Sequence, residues 1–240
     1  SSGKIKTKWL HSICEDIVEL TNTNKKIAIV SSGAIALGKN LISNNKPIKR
    51  LEDKQAAAAI GQIELAKHWQ QSLKKYKINS AQILLTLNDS EERRRYLNAR
   101  KTINALHNKR VIPIINENDT VATEEIRYGD NDRLAARVAQ MIGADLLVML
   151  SDIDGLYTAN PYVSKQAKRV SNIKMIDELI EKMAGKNQSV FGSGGMQTKI
   201  WAAKICLNSG CSTVITNGQE FNPLKAINQN NSSWFVASGS

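Results

Sequence analysis

Acidic residues crowd one stretch of this chain. Glu117, Asp119, Glu124, Glu125, Asp130 and Asp132 lie in a single connection beside Asn116, Asn118 and Asn131, in a protein with 33 Lys and Arg against 22 Asp and Glu and a formal net charge of +11. Carboxylates suit an ammonium or a hydrated metal ion, whereas Asn side chains and the free N–H groups of a helix start suit a carboxylate. Together they describe a pocket for a zwitterion such as an amino acid. Two other readings stay open. One is a divalent-metal loop, although the EF-hand spacing is not met; the other is helix capping by Asp130, Asn131 or Asp132.

Three further loops carry chemistry-bearing residues. Ser31-Ser32-Gly33-Ala34 follows the apolar run Lys26 to Val30; its small residues let the backbone approach an anion, or serve only to start a helix. Ser151-Asp152-Ile153-Asp154-Gly155-Leu156-Tyr157 follows the most apolar run, Leu146 to Leu150. An acidic residue there can order Lys side chains or water around a metal–nucleotide, while Asp154-Gly155 alone makes an ordinary turn. The last is Phe191-Gly192-Ser193-Gly194-Gly195-Met196-Gln197-Thr198-Lys199. It is not a Walker A loop, since Thr198 precedes Lys199, and Gln197 at the sixth position from Gly192 breaks the dinucleotide fingerprint. What remains is a run of glycines that frees N–H groups, a helix start, and a cation one turn in, which together suit a phosphate.

Positioning these loops requires alternating strands and helices. Trp9, Leu10, Ile13, Cys14, Ile17 and Leu20 recur at helical spacing from Thr7, and Glu52 to Lys75 reads as a long helix. After it come strand Ala81 to Leu85, helix Ser90 to His107, strand Val111 to Ile115, helix Asp132 to Ile142 and strand Asp145 to Leu150. Helix Met196 to Asn208, strand Ser212 to Thr216, a short helix from Pro223 and a strand near Trp234 to Val236 complete the pattern. The strands are continuous apolar runs, which signals a parallel sheet covered on both faces. Ligands then bind at the carboxyl ends of the strands, where all four loops fall. With four prolines and no Pro/Gly/Ser-rich linker before Phe191, one α/β domain over residues 1–240 is expected.

Composition narrows the function classes. The apolar fraction of 42% with 14 Gly is that of a globular protein, which excludes disordered and collagen-like classes. No apolar stretch approaches the ~20 residues of a membrane span, mean hydropathy is −0.32, and, with no basic-then-apolar opening pattern, no secretory leader is expected. Cys14, Cys206 and Cys211 lack CxxC spacing and read as buried thiols. Basic residues are spread from Lys4 to Lys225 with only 5% aromatics, so the excess reads as a solvated surface rather than a nucleic-acid stripe.

Several stretches carry a resemblance. They are Val30 to Gly38 (VSSGAIALG), Lys54-Gln55-Ala56 with Ile60-Gly61-Gln62, Tyr96 to Arg100 (YLNAR), Ile115 to Ala122 (INENDTVA), Gly129 to Asp132 (GDND), Ser151 to Asn160 (SDIDGLYTAN) and Gly194 to Lys199 (GGMQTK). In this order they resemble the amino acid kinase superfamily, and most closely the branch of it that acts on glutamate. Uridylate and acetylglutamate kinases share the architecture but not the INEND and GDND stretches.

The resemblance implies a three-layer αβα sandwich with a mainly parallel open sheet, and ATP-dependent phosphorylation of the γ-carboxylate of L-glutamate, the first step of proline biosynthesis. It implies glutamate at Ser32, Asp119 and Asn131, with Asn116 and Asp130 nearby. It implies ATP, bringing Mg²⁺, at Ser151 and Asp152 and at Ser193, Gly194, Gly195, Met196, Gln197, Thr198 and Lys199. Lys199 would bear on the transferred phosphoryl group, and Asp152 would hold the catalytic lysines. A cytoplasmic dimer or tetramer inhibited by proline is expected, with no membrane or nucleic-acid partner. Members of the family open with a strand bearing a Lys and a Gly-Ser/Thr turn. That strand is expected to be missing ahead of Ser1, and an RNA-binding-like C-terminal domain is expected to be lacking after Trp234-Phe235.

The implied chemistry needs no general base. A glutamate side chain, of pKa about 4.3, is already an anion at neutral pH, so the task is to align two anions and neutralise their charge. His11, His68 and His107 then have no required part. The alternatives are a superfamily kinase acting on another small acid, such as N-acetylglutamate or aspartate, and a non-catalytic binder of glutamate or proline.

Overall fold

A computed structural model of the chain describes residues 5–43, 48, 50–121, 130–186 and 195–238. It divides into two compact units, Ser1–Arg127 and Tyr128–Ser240.

The first unit is built on a three-stranded parallel sheet of order β1-β3-β2, with β1 at Ile29–Val30, β2 at Asn79–Leu85 and β3 at Val111–Glu117. The central strand β3 is buried from Ile112 to Asn116, as its unbroken apolar run requires. Register sets Val30 beside Ile115 and Leu85 beside Glu117, so the carboxyl ends of all three strands share one edge. Helix α1 (Thr7–Asn22) buries Leu10, Ile13, Cys14 and Ile17, one stripe of its amphipathic pattern. Helices α2 (Ala34–Ser43) and α3 (Leu51–Lys74) follow β1. They cross at backbone contact: a Cβ on Gly61 would fall 1.8 Å from the Ala34 carbonyl oxygen, and one on Gly38 would fall 1.8 Å from that of Ala57.

The helix expected from Ser90 to His107 is two helices, α4 (Leu87–Glu91) and α5 (Arg93–Asn108), with Glu92 extended between them. The cause is local. Thr86 and Asp89 form a capping box, Asp89 Oδ2 accepting from the Thr86 N–H at 2.7 Å, and this starts a helix earlier than the apolar pattern suggests.

In the second unit α6 (Asp130–Ile142), α7 (Glu178–Lys186) and α8 (Gly195–Asn208) accompany a four-stranded sheet of order β4-β6-β7-β5. Its strands are β4 (Leu146–Ser151), β5 (Asn172–Ile173), β6 (Ser212–Asn217) and β7 (Ser232–Phe235). β4 pairs β6 in parallel, and β6 pairs β7 antiparallel. Its core gathers Met149, Leu156, Ile200, Ala203, Ile215 and Phe235. The stretch from Pro223, expected to be helical, is a run of turns. Mainly parallel α/β architecture is thus what both units display. Among the described residues no helix is long and apolar enough to cross a membrane.

Candidate functional site

In the first unit the strand ends present Ser31 and Ser32 after β1, and Asn116 and Asp119 at and beyond the end of β3. Ser31 continues the ladder, its N–H reaching the Ile115 carbonyl at 2.9 Å, and its hydroxyl accepts from the Trp69 indole at 2.9 Å. Ser31 is thereby used structurally, and the exposed Ser32 is the serine left facing outward. Gly33 has φ of +105°, a turn that L side chains rarely adopt and that aims the chain directly into α2. Asn116 is 3% exposed and donates its amide to Gln62 Oε1 at 2.6 Å. Asp119 is 8% exposed and opens a 3-10 turn, Asp119–Val121, which follows a bond from the Asn118 N–H to the Leu85 carbonyl. Parallel register therefore brings Ser32, Asn116 and Asp119 to one sheet edge.

In the second unit Lys199 Nζ donates to Asp132 Oδ2 at 2.9 Å, and the Thr198 hydroxyl reaches the same oxygen at 2.7 Å. Both partners of the ion pair are mostly buried, with side-chain exposures of 13% for Lys199 and 19% for Asp132. An ammonium has three N–H bonds; with one directed at Asp132, others are available to phosphate oxygens. Asn131, one residue earlier, has its Oδ1 buried with no donor among the described residues. Such an acceptor fits a ligand N–H.

At the end of β4 the Ser151 hydroxyl donates to Asp152 Oδ1 at 3.1 Å. Asp132, one of the six acidic residues of the crowded connection, is thus a partner of Lys199. The loop that follows is held firmly. Buried Ser233 accepts from the Leu156 N–H at 2.9 Å and donates to the Val170 carbonyl at 2.6 Å. Asp154 takes the Arg169 guanidinium at 2.5 Å and the Tyr157 hydroxyl at 2.9 Å. Burial and the bond to Asp154 hold the Tyr157 phenol above its ordinary pKa.

Of the glycine-rich stretch, Gly195 opens α8, Met196 is buried and Gln197 is exposed. Ser193 and Gly194, and the side chain of Asp130, lie outside the described residues.

The histidines all have structural partners. Lys75 Nζ donates to His11 Nε2 at 3.0 Å, His68 Nδ1 bonds the Glu64 carbonyl at 2.8 Å, and His107 Nε2 bonds the Ile27 carbonyl at 3.0 Å. The three cysteines are free and buried. Burial pushes the Cys14 thiol up to about 12, helped by the neighbouring charge of Glu15, so it is inert as a nucleophile.

The chain is similar to known proteins. The chain is 58% identical over 236 residues to the glutamate 5-kinase of Agrobacterium fabrum, covering 98% of this chain and 61% of that protein. It is 53% identical to the glutamate 5-kinase of Pelagibacter ubique, covering 97% of this chain and 64% of the relative. The chain thus spans about three-fifths of the length of the curated relatives it matches. Among solved structures, carbamate kinase from Giardia lamblia bound to AMP-PNP superposes with a TM-score of 0.65 at 15% identity, covering 95% of this chain and 90% of that one. Isopentenyl phosphate kinase from T. acidophilum, in a product complex, gives 0.60 at 13% identity, covering 91% and 85%. At such identities these two establish the fold alone. The family model for amino acid kinases matches residues 1–217, and with more than half the chain matched, the protein belongs to the amino acid kinase family.

Proposed function

We propose that this chain is the kinase domain, over residues 1–240, of an enzyme that uses ATP to phosphorylate the γ-carboxylate of L-glutamate, forming L-glutamyl 5-phosphate for proline biosynthesis. The observation that carries the proposal is the Lys199–Asp132 pair. It ties the cation at the start of α8, after the glycine-rich stretch, to the first turn of α6, which carries Asp130 and Asn131. Identity of 53% or more to glutamate 5-kinases across nearly all of the chain supports the choice of substrate.

Roles follow from the chemistry of each group. Lys199 neutralises charge on the transferring phosphoryl group, and Asp132 holds it in one geometry. Ser151, Asp152 and the Gly195 to Thr198 start of α8 serve the nucleotide. Mg²⁺ comes with the ATP and keeps most of its waters, so it needs no dedicated protein cage. In the first unit Ser32, Asn116 and Asp119 serve glutamate. Asp119 takes the ammonium and the amides take oxygen or N–H as their polarity dictates. Because glutamate is already ionised, no side chain acts as base. The same proposal includes proline as feedback inhibitor, a cytoplasmic setting and a dimer or tetramer.

The test is ADP release by the full-length protein with L-glutamate, L-aspartate or N-acetyl-L-glutamate as the only acceptor. Turnover with L-glutamate alone is expected. Equal or greater turnover with N-acetylglutamate would contradict the proposal, because Asp119 is assigned a free ammonium.

A further inference from the structure

Gln62 is a polar residue on a core face. It lies in α3 on the stripe shared with Leu65 and Trp69, which are 8% and 6% exposed, and is itself 9% exposed. Its Oε1 accepts from Asn116 Nδ2 at 2.6 Å, while its Nε2 is buried and has no partner among the described residues. A buried donor left unmade is a cost that an apolar side chain at the same place would avoid.

Backbone packing puts this amide at the strand ends. Gly61 lets α3 touch the Ala34 carbonyl at the first turn of α2, directly after Ser31-Ser32-Gly33. One residue on, Gln62 meets the end of β3 through Asn116, and two turns on, Trp69 donates to Ser31 after β1. The same helix face is thus fastened to the ends of two neighbouring parallel strands, and Gln62 is one of its two fastening residues.

We infer that Gln62 is a substrate-contacting, specificity-determining residue whose Nε2 donates to a carboxylate oxygen of the amino-acid substrate, while its Oε1 orients Asn116. An amide nitrogen only donates, so it selects a carboxylate and not the ammonium, which leaves that end to Asp119. A site built around such a donor penalises ligands that lack the matching oxygen, because the buried amide then stays unpaired. The inference rests on the assignment of an amino-acid substrate to this sheet edge.

Two variants in the full-length protein test it. Gln62→Glu keeps the oxygen that accepts from Asn116 and replaces the donor with an acceptor; Gln62→Met keeps the volume and removes both polar atoms. KM for L-glutamate is expected to rise at least tenfold in each, with KM for ATP within twofold of wild type and an unchanged melting temperature for Gln62→Met. Glutamate KM within twofold of wild type in folded protein would overturn the inference, as would a lowered melting temperature with KM unchanged, the mark of a purely structural amide. If Gln62→Glu fails to fold, Gln62→Met decides by the same criteria. Calorimetric titration of the wild type with L-glutamate separates the two levels. Absence of both binding and turnover there would mean that the substrate assignment itself had failed, and the inference falls with it.

Discussion

Lys199 Nζ and the Thr198 hydroxyl converge on one oxygen of Asp132, at 2.9 Å and 2.7 Å. A single carboxylate in the first turn of α6 therefore fixes two consecutive residues in the first turn of α8. These two contacts hold the ammonium in one geometry, the preorganisation that the role proposed for Lys199 calls for.

Loss of the ammonium should be severe. Lys199→Ala is expected to lower kcat by about 100- to 1,000-fold with near-normal thermal melting, read by steady-state ADP release. Asp132→Asn keeps an oxygen but removes the charge. A charge-assisted bond contributes about 1.5–3 kcal/mol, so about tenfold to a hundredfold of kcat is expected to go. Asp152→Asn should instead act mainly on KM for ATP, and the three variants assayed together check this division of roles.

The loop after β4 depends on Ser233. Ser233→Ala strands the buried N–H of Leu156, which is now bonded at 2.9 Å, and should lower stability by about 1–3 kcal/mol. Urea unfolding measures that loss, and a raised KM for ATP would accompany it if the loop positions Ser151 and Asp152.

The α2–α3 crossing tolerates no side chain at its contact. With a carbonyl oxygen 1.8 Å from where a Cβ would stand, the backbones must separate. Gly61→Ala is expected to cost about 1–3 kcal/mol or more, seen as a drop in melting temperature. Glutamate KM should rise with it, since Gln62 moves too.

Burial holds the His107 pKa below its ordinary value, aided by the Lys26 charge and opposed by the bond to the Ile27 carbonyl. The folded state thus binds its proton less readily than the unfolded chain. Stability from this site is complete above the unfolded pKa of about 6.5 and is lost as pH falls toward and through the folded value. Denaturant melts between pH 7.5 and 5 should show that decline, and His107→Gln, which retains an N–H donor, should flatten it.

Continuous apolar runs made most strands and helices legible, because a buried parallel strand needs both faces apolar. The break at Glu92 was also written locally, in the Thr86 to Asp89 capping box, and so was α7, whose Asp177 side chain accepts from the Ile180 N–H at 2.9 Å; periodicity alone passed over both. The antiparallel turn of β7 onto β6 is a tertiary choice without a local signal. Likewise Asp132 stands out in the sequence among the crowded carboxylates, but its pairing with Lys199, 67 residues along the chain, is a tertiary contact without a local signal. Gln62 stands in the sequence only within the long helix and the Ile60-Gly61-Gln62 stretch, and the close approach at Gly61 is what sets which face of α3 meets the sheet.

The most direct test is to incubate the full-length protein with Mg-ATP, L-glutamate and hydroxylamine and to assay for γ-glutamyl hydroxamate. An acyl phosphate on the side-chain carboxylate predicts hydroxamate that requires both ATP and glutamate and nearly vanishes in Lys199→Ala. ADP release without any hydroxamate, or hydroxamate formed undiminished by Lys199→Ala, would contradict the account.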